Sequence, residues 1–412
     1  MVAGYRPNGR PRLLVLGAGP AQLGLLEAAR RRDLFVIAVD RNPRAPGFRY
    51  ADRRAIVSVE DERGVQRLAV AEDVHGLIAP GIDWPVAVAA RVAERLGLPH
   101  PIDSRTAVLA TSKLRQRERF AEAGVPQPLH HAARRLEEAL AAAERVGYPC
   151  VVKAPDRQGQ RGLAVVERPD ELPAALARAL DSSRSDFALV EELVDGREVT
   201  VNGFSFRGRF HPLTVTDRLL AEPPAFGVAL AHAWPSSLPS SDVQAAIEAA
   251  TAAAGAIGIR DGPSYTQLRV DAEGAKVGEI AARLGGGHDA ELCEVALGAA
   301  LNELALDAAL GRETAPDALA GRRRVGGACV RFLVAPSGEL RALRGAHEAA
   351  AEAGVVWLRL YHDRGHHYGP LLRGADRAGA VLAVGDDRED ALARATRAAA
   401  RVAFETVEEA AV

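Results

Sequence analysis

The 412-residue sequence predicts an α/β fold: a Rossmann-like parallel-sheet domain, an α+β unit and a small C-terminal α+β subdomain. Residues 12–100 alternate short apolar strands with amphipathic helices, as parallel sheets do. The stretch REVTVNGFSF alternates like an antiparallel strand, and short strands and helices mix after about residue 310. We expect three units, with a proline-containing joint at the first boundary: residues 1–106, 107–310 and 311–412.

The N-terminal unit contains four predicted strands. RLLVLG, LFVIAVD (34–40), RAIVSV (54–59) and VHGLIAP (74–80) are apolar runs. A helix follows the last of them, because Ala89, Val92, Ala93 and Leu96 recur at i, i+3, i+4 and i+7 and form one buried face.

The first strand runs into GAGPAQLG, which partly matches a dinucleotide-binding fingerprint. After Gly17 and Gly19 the next glycine is Gly24, five residues on, whereas GxGxxG requires three. We therefore interpret Gly17 and Gly19 as turn glycines rather than as a site for NAD.

The overall composition excludes several functional classes of protein. The formal net charge of −2 gives no electrostatic reason to bind nucleic acid or an anionic membrane. Cys150, Cys293 and Cys329 are odd in number and far apart, which fits a reducing compartment. We find no signal peptide and no membrane-spanning run, and expect a cytoplasmic protein.

A predicted hairpin brings two oxygen-bearing side chains together. If Ala272-Glu273-Gly274 is a three-residue loop, residue 271 pairs with 275 and Gln267 lies opposite Glu279. Such a pair of oxygens suits Mg²⁺ together with phosphate oxygens. The alternative is an ordinary Gln–Glu pair on a solvated face. If the strand continues as far as Arg283, the side chain of Arg283 lies on the same face of the strand as that of Glu279.

A second hairpin joins YPCVVKA (148–154) to LAVV (163–166) through a glycine-containing loop. Lys153 beside this loop suits a phosphate clamp, because backbone N–H groups and an ammonium both favour anions. The alternatives are a snorkelling lysine and plain turn glycines. The loop is not a Walker motif.

Five segments in order resemble the ATP-grasp superfamily, from about residue 13 to 310 and more weakly to 405: SKLRQRERFAEAGVPQP (112–128), YPCVVKA, DRQGQRG, LVEELVDGREVTV and GEIAARLGGGH. The resemblance implies a lid at about 125–190 and a central sheet at about 190–310.

The resemblance also implies a role for each matching position. Three groups of residues would hold ATP, namely two phosphate-binding lysines, a closing loop and an adenosine-binding strand: Lys113 and Lys153; Gly159, Gln160 and Gly162; Glu191, Glu192, Leu193 and the ribose acceptor Glu198. Gln267 and Glu279 would bind Mg²⁺, and Arg283 would stabilise the transferred phosphoryl group. Two positions depart from the family: Gln267 where a carboxylate is usual, and Ala281 where asparagine is usual.

The implied activity is ATP-dependent ligation of a small-molecule carboxylate to an amine through an acyl phosphate. The alternatives are a purine-biosynthesis or carboxylase type of enzyme and a nucleotide-binding regulator without turnover. Relatives are often homodimers. His232 and His288 are candidate substrate contacts, whereas His366 and His367 fit an exposed polar loop. Asp376 and Arg377 are expected to be structural or to border the active site.

Overall fold

The computed structural model describes residues 9–314 and 316–407. The N-terminal unit is a parallel sheet in the order β3-β2-β1-β4, which confirms the predicted topology. The third strand is shorter than expected. The strands and helices are β1 (Arg12–Leu16), α1 (Leu23–Arg31), β2 (Phe35–Val39), β3 (Arg53–Ala55), α2 (Glu62–Ala71), β4 (Gly76–Ile78) and α3 (Trp84–Leu96).

A second, antiparallel sheet follows in the order β5-β8-β6-β7. It contains the predicted YPCVVKA–LAVV hairpin. Its elements, with the two helices before it, are α4 (Ser104–Ala110), α5 (Lys113–Ala123), β5 (His130–Ala133), α6 (Leu136–Val146), β6 (Cys150–Lys153), β7 (Ala164–Val166), α7 (Leu172–Ser182) and β8 (Ala188–Glu192).

The largest sheet has eight strands in the order β13-β12-β9-β10-β11-β14-β18-β16. The elements from residue 197 to 309 are β9 (Arg197–Phe206), β10 (Arg209–Leu220), β11 (Ala229–Trp234), α8 (Ser240–Ile257), β12 (Gly262–Asp271), β13 (Gly274–Ala281), α9 (Asp289–Leu297) and α10 (Leu301–Ala309). Those after it are β14 (Gly327–Leu333), β15 (Gly338–Arg344), α11 (Ala346–Ala350), β16 (Val355–Leu360), β17 (His367–Tyr368), β18 (Gly379–Gly385), α12 (Arg388–Arg401) and β19 (Ala403–Val407).

This sheet takes strands from both sides of residue 310, so the C-terminal region extends the central layer. A small sheet in the order β17-β15-β19 completes the region. The unit boundaries at 106 and 310 stay a prediction. Five short 3₁₀ turns occur among the described residues: Pro20–Gln22, Pro46–Tyr50, Pro169–Glu171, Pro316–Leu319 and Gly374–Asp376.

Local chemistry explains the helix that carries the first site lysine. The Ser112 side chain accepts a hydrogen bond from the Arg115 amide at the start of α5, which caps an otherwise unpaired donor. Gly124, at φ +67°, ends the helix in a left-handed conformation that glycine adopts without steric cost. Lys113 is therefore fixed at the first position of a capped helix.

Candidate active site

The hairpin of β12 and β13 pairs Gln267 directly with Glu279, as the sequence predicts. The predicted three-residue loop is wrong, because Asp271 pairs with Gly274 around a two-residue turn. The register shifts once, between Leu268 and Gln267, because Gly278 on the opposite strand is an extra, bulged residue. This bulge offsets the shorter turn, so that the amide and the carboxylate share one face of the sheet.

Glu279 forms an ion pair with Lys113, at 2.6 Å between carboxylate and ammonium. Lys113 also donates to the carbonyl of Arg157 at 2.8 Å. Burial would lower the pKa of Lys113, but Glu279 and Asp83 raise it. Burial would raise the pKa of Glu279, but Lys113, with Lys153 and Arg283 nearby, lowers it to about 2. Both groups therefore stay charged at neutral pH.

Lys153, the last residue of β6, forms an ion pair with Glu191 on the neighbouring strand β8, at 2.5 Å. Arg117 binds the same carboxylate at 2.9 Å and is itself almost fully buried. Burial alone would raise the pKa of Glu191, but the two cations lower it to about 2. Desolvation lowers the pKa of Lys153 despite this carboxylate.

Glu198 is also surrounded by donors. Arg218 lies 2.5 Å and Arg269 3.1 Å from its carboxylate, and the amide nitrogen of Gln267 donates to it. A ribose hydroxyl that binds here joins an occupied carboxylate. Three of these residues were not predicted from the sequence: Arg117, Arg218 and Arg269. Arg117 follows Lys113 at i+4 and so shares its helix face.

The glycine loop after β6 is attached on both sides. Gln158 accepts a hydrogen bond from the Asp83 amide, and Gln160 donates to the carbonyl of Gly227 at 3.2 Å. Gly159 and Gly162 have φ of +67° and +69°, which favours glycine at both positions. The loop therefore lies closed between the N-terminal unit and the central sheet.

These residues surround a cleft of about 160 Å³. All the predicted residues of the ATP and metal sites except Gly162 line this cleft. Val151, Leu163, Val194 and Phe226 add apolar surface to its wall, which suits a flat heteroaromatic ring.

The donor set fits one divalent cation that keeps part of its water shell. Among the described residues no group of three or more His, Cys, Asp or Glu side chains is arranged to hold a metal. The amide nitrogen of Gln267 is turned towards Glu198, which leaves its oxygen, with the Glu279 carboxylate, to face the cleft. One amide and one carboxylate oxygen suit Mg²⁺, which binds few protein ligands beside phosphate and water.

A second cavity of about 410 Å³ adjoins the cleft. Lys113 and Glu279 line both cavities, as do loop residues 157–159 and 161. Gly19, Asp40 and Asp83 of the N-terminal unit also line the second cavity, at the carboxyl ends of its parallel strands, where ligands of such sheets bind. A group held in the cleft and a group held in the second cavity therefore meet at the Lys113–Glu279 pair.

Arg283 lines neither cavity. Its guanidinium is buried and binds the Asp83 carboxylate at 2.6 and 2.8 Å. Burial would lower its pKa, but Asp83, Tyr265 and Glu279 raise it. Asp83 was not predicted from the sequence; it pairs with this arginine and lines the second cavity.

Neither His232 nor His288 lines the two cavities. His232 is buried 3.0 Å from Asp289, and desolvation lowers its pKa despite that carboxylate. His288 is buried between Tyr361, at 2.7 Å, and Glu291. Both rings are therefore part of buried polar networks.

The polar stretch DRGHHYGP borders the second cavity through the preceding His362, which stacks on His366 with ring centroids 3.5 Å apart. Arg377 lines this cavity too, so the expectation that it borders the site agrees with its position. Its guanidinium donates to the carbonyl of Ala229 at 2.6 Å and lies over Phe332, while its Nε is buried without a hydrogen-bond partner among the described residues.

Two family models match separate parts of the chain. Residues 112–205 match the ATP-binding domain of the carbamoyl-phosphate synthase L chain. Residues 331–407 match the L-amino acid ligase C-terminal domain 2. In the residues that the structure describes, no helix is long and apolar enough to cross a membrane.

One curated relative is the formate-dependent phosphoribosylglycinamide formyltransferase of Burkholderia pseudomallei, 31% identical over 187 residues. That alignment covers 45% of this chain and 46% of the relative, so the chain spans about half the length of the curated relatives it matches.

Two solved structures share the fold over nearly the whole chain. An L-amino acid ligase from Bacillus licheniformis has a TM-score of 0.82 at 22% identity, covering 97% of this chain and 99% of its own. The biotin carboxylase domain dimer of the 2-oxoglutarate carboxylase of Hydrogenobacter thermophilus, described in complex with MgADP and bicarbonate, has a TM-score of 0.80 at 18% identity, covering 96% and 91%. The matched segments confirm the predicted resemblance to the ATP-grasp superfamily, and the shared fold confirms the predicted fold class.

Proposed function

We propose that this chain is an ATP-dependent carboxylate–amine ligase that releases ADP and phosphate. The observation that carries the proposal is the Lys113–Glu279 pair, which lines both the cleft and the second cavity. A phosphoryl donor in one cavity and an acceptor in the other meet at this pair. The match of residues 331–407 to a domain of L-amino acid ligases favours an amide product.

In the proposed reaction a carboxylate oxygen in the second cavity attacks the γ-phosphorus of ATP, and the bond to the ADP oxygen breaks. An amine then attacks the carbonyl carbon of the acyl phosphate, loses a proton and expels phosphate. Such phosphoryl transfer depends mainly on positioning and charge neutralisation. When bound, Mg²⁺ supplies additional positive charge to the phosphates.

Different residues of this chain contribute to different parts of the proposed reaction. Lys113 and Lys153 bind phosphate oxygens, Glu279 and Gln267 hold the cation, and the backbone of Glu191, Glu192 and Leu193 holds adenine. Glu198 accepts from ribose, and the loop with Gly159, Gln160 and Gly162 excludes water that would hydrolyse the acyl phosphate.

Arg283 is proposed to stabilise the transferred group. Because Asp83 holds it outside both cavities, it must exchange that partner for phosphate during turnover. His232 and His288 also lie outside both cavities, so their proposed contact with substrate requires the surrounding networks to open.

A second candidate is an enzyme of the purine-biosynthesis or carboxylase type. The 31% identity over 187 residues to a formate-dependent phosphoribosylglycinamide formyltransferase favours it. This candidate shares the acyl-phosphate chemistry and differs in the acceptor. A homodimer of this chain stays a prediction, which light scattering on the purified protein tests.

The test is a phosphate-release screen of carboxylic acids against amines, with ATP and Mg²⁺, in which each component is omitted in turn. We expect ADP release that requires both a carboxylate and an amine, and hydroxylamine in place of the amine should trap the acyl phosphate as a hydroxamate. Turnover with bicarbonate or formate alone as the acid would favour the second candidate. ADP binding without turnover in any combination would contradict both candidates and favour a regulatory protein.

A further inference from the structure

Four arginines converge on the second cavity from three distant segments. Arg41 follows β2, Arg157 and Arg161 lie on the glycine loop, and Arg373 precedes β18; all four line the cavity. We refer to them as the arginine cluster. Arg157 also provides the carbonyl that accepts from Lys113 at 2.8 Å, so the cluster lies beside the junction of the two cavities.

Arg184, which lines the same cavity, pairs with Glu60, whereas the cluster has fewer carboxylate partners. Within the described parts of the chain, Arg41, Arg157 and Arg161 form no ion pair, and Arg373 pairs only with Asp376 of its own turn. The one hydrogen bond from the three unpaired side chains runs from Arg157 to the carbonyl of Ser182. Like charges close together in a cavity are unfavourable without a counter-ion.

The carboxylates in the same wall are already engaged elsewhere. Asp40 accepts from the amides of residues 18 and 42, and Asp156 from those of residues 184 and 185. The remaining three, Glu60, Asp83 and Glu279, are paired with Arg184, Arg283 and Lys113. Of the five carboxylates in this wall, three are thus paired with cations outside the cluster, and the other two accept backbone amides.

Arg161 shows the result of this arrangement. Desolvation lowers its pKa first, and Arg373, Arg157 and Arg41 lower it further, against a single opposing carboxylate, Glu60. The positive charges of the other three arginines of the cluster thus act on Arg161 in this cavity. A ligand that supplies negative charge at this point would remove that repulsion.

On the basis of the proposed ligase function, we propose that the arginine cluster binds a second anionic group of the substrate, a phosphate monoester or a further carboxylate, at a distance from the reacting carboxylate or amine. Guanidinium forks match the geometry of both groups and bind them with charge-assisted hydrogen bonds. The preferred substrate is therefore polyanionic rather than a simple zwitterionic amino acid. Two of the four arginines come from the loop that covers the cleft, so substrate binding also favours loop closure.

ATP phosphates are the alternative partner, because Arg157 and Arg161 line the cleft as well. Arg41 and Arg373 do not line it, and they separate the two possibilities. If the cluster serves ATP, replacing Arg41 leaves the binding of other anions unchanged.

The experiment measures binding by calorimetry to the full chain saturated with a non-hydrolysable ATP analogue and Mg²⁺. O-phospho-L-serine, L-glutamate and L-alanine share one amino-acid head and differ in the second anionic group. We expect at least tenfold tighter binding of phosphoserine or glutamate than of alanine, and their ranking distinguishes phosphate from carboxylate. In Arg41→Ala this preference should fall at least tenfold, and Arg41→Lys should restore part of it.

Arg63→Ala is the matched control, since Arg63 is an exposed arginine of α2 in the same unit. It should leave all three affinities unchanged. Equal binding of the three probes, or an Arg41→Ala variant whose only defect is weaker binding of the ATP analogue, would overturn the proposal. If the anionic probes bind as expected but no acceptor in the phosphate-release screen yields ADP, the ligase function fails and the anion site stands.

Discussion

The cleft and the second cavity treat charge in opposite ways. In the cleft, Glu191 lies between Arg117 and Lys153, and Glu279 is paired with Lys113, so cations and carboxylates neutralise and orient each other. In the second cavity, three of the four arginines of the cluster have no carboxylate partner in the described chain. The carboxylates of the cleft are thus paired within the protein, whereas the proposed ligand of the second cavity would supply counter-charge to the cluster, of which Arg41 and Arg373 lie outside the cleft.

The largest effect expected from this comparison is on catalysis at the junction. Glu279→Ala should lower acceptor-dependent ADP release by about 1000-fold or more, because it removes the proposed cation ligand and the partner of Lys113. Glu273→Ala on the same hairpin is the control, since this exposed carboxylate forms only a surface ion pair with Lys276. Steady-state ADP release measures both. Turnover within tenfold of wild type in Glu279→Ala would exclude the proposed role.

Next in size is the stability of the neutralised region. Glu191→Gln leaves Arg117 and Lys153 facing each other without their buried carboxylate, which should cost about 3–5 kcal/mol in the free energy of unfolding. Urea unfolding at pH 7 measures the loss. Glu192→Gln on the same strand is the control. Its ion pair with Lys276 is less buried, so the loss should stay below about 1 kcal/mol. Equal losses in the two variants would contradict the special role of the Glu191 pairings.

The same contrast governs what the sequence can predict. Lys113, Lys153, Glu191 and Glu198 lie in contiguous segments with recognisable spacing, so the cleft follows from local patterns. The Gln267–Glu279 pairing was also predicted, although the predicted three-residue turn was wrong. The observed turn is one residue shorter, and the bulge at Gly278 restores the same pairing.

The second cavity has no such local signal. Its arginine cluster brings together positions 41, 157, 161 and 373, and only the tertiary fold places them side by side. Asp83 and Arg283 are 200 residues apart, so neither their ion pair nor the position of Arg283 outside the cavities has a sequence signature. Buried networks around His232 and His288 depend on packing in the same way.

The third effect is a pH dependence that differs between the regions. Burial, with His366 nearby, lowers the pKa of His362 beside the second cavity from 6.5 to about 4. The unfolded chain therefore binds a proton there first, and this contribution to stability is lost as the pH falls from about 6.5 towards 4. The folded pKa of Glu191 is lowered from 4.5 to about 2. Its contribution is therefore lost only below about pH 4.5.

Urea midpoints at pH 7, 6 and 5 test this difference. Because other buried histidines contribute with the same sign, His362→Gln should reduce the slope in this range without abolishing it. His347→Gln, an exposed position on α11, should keep the wild-type slope. An unchanged slope in His362→Gln would show that the second cavity does not respond to this histidine.

The smallest effect is on the stability of the arginine cluster itself. Arg161→Ala should change the free energy of unfolding by only about 0.5 kcal/mol or less, because the side chain is exposed and has no ion pair. The sign of this change in the free energy of unfolding is informative at low salt, because removing one of four mutually repelling charges should stabilise the protein. The gain should vanish in about 1 M salt, where screening acts within about 3 Å.

Arg168→Ala is the control from the same lid: Arg168 pairs with Asp170 and Glu171, so its removal should act in the opposite direction. Urea midpoints at both salt concentrations measure the two variants, and a loss of stability in Arg161→Ala at low salt would mean that the cluster already has its counter-charge within the protein.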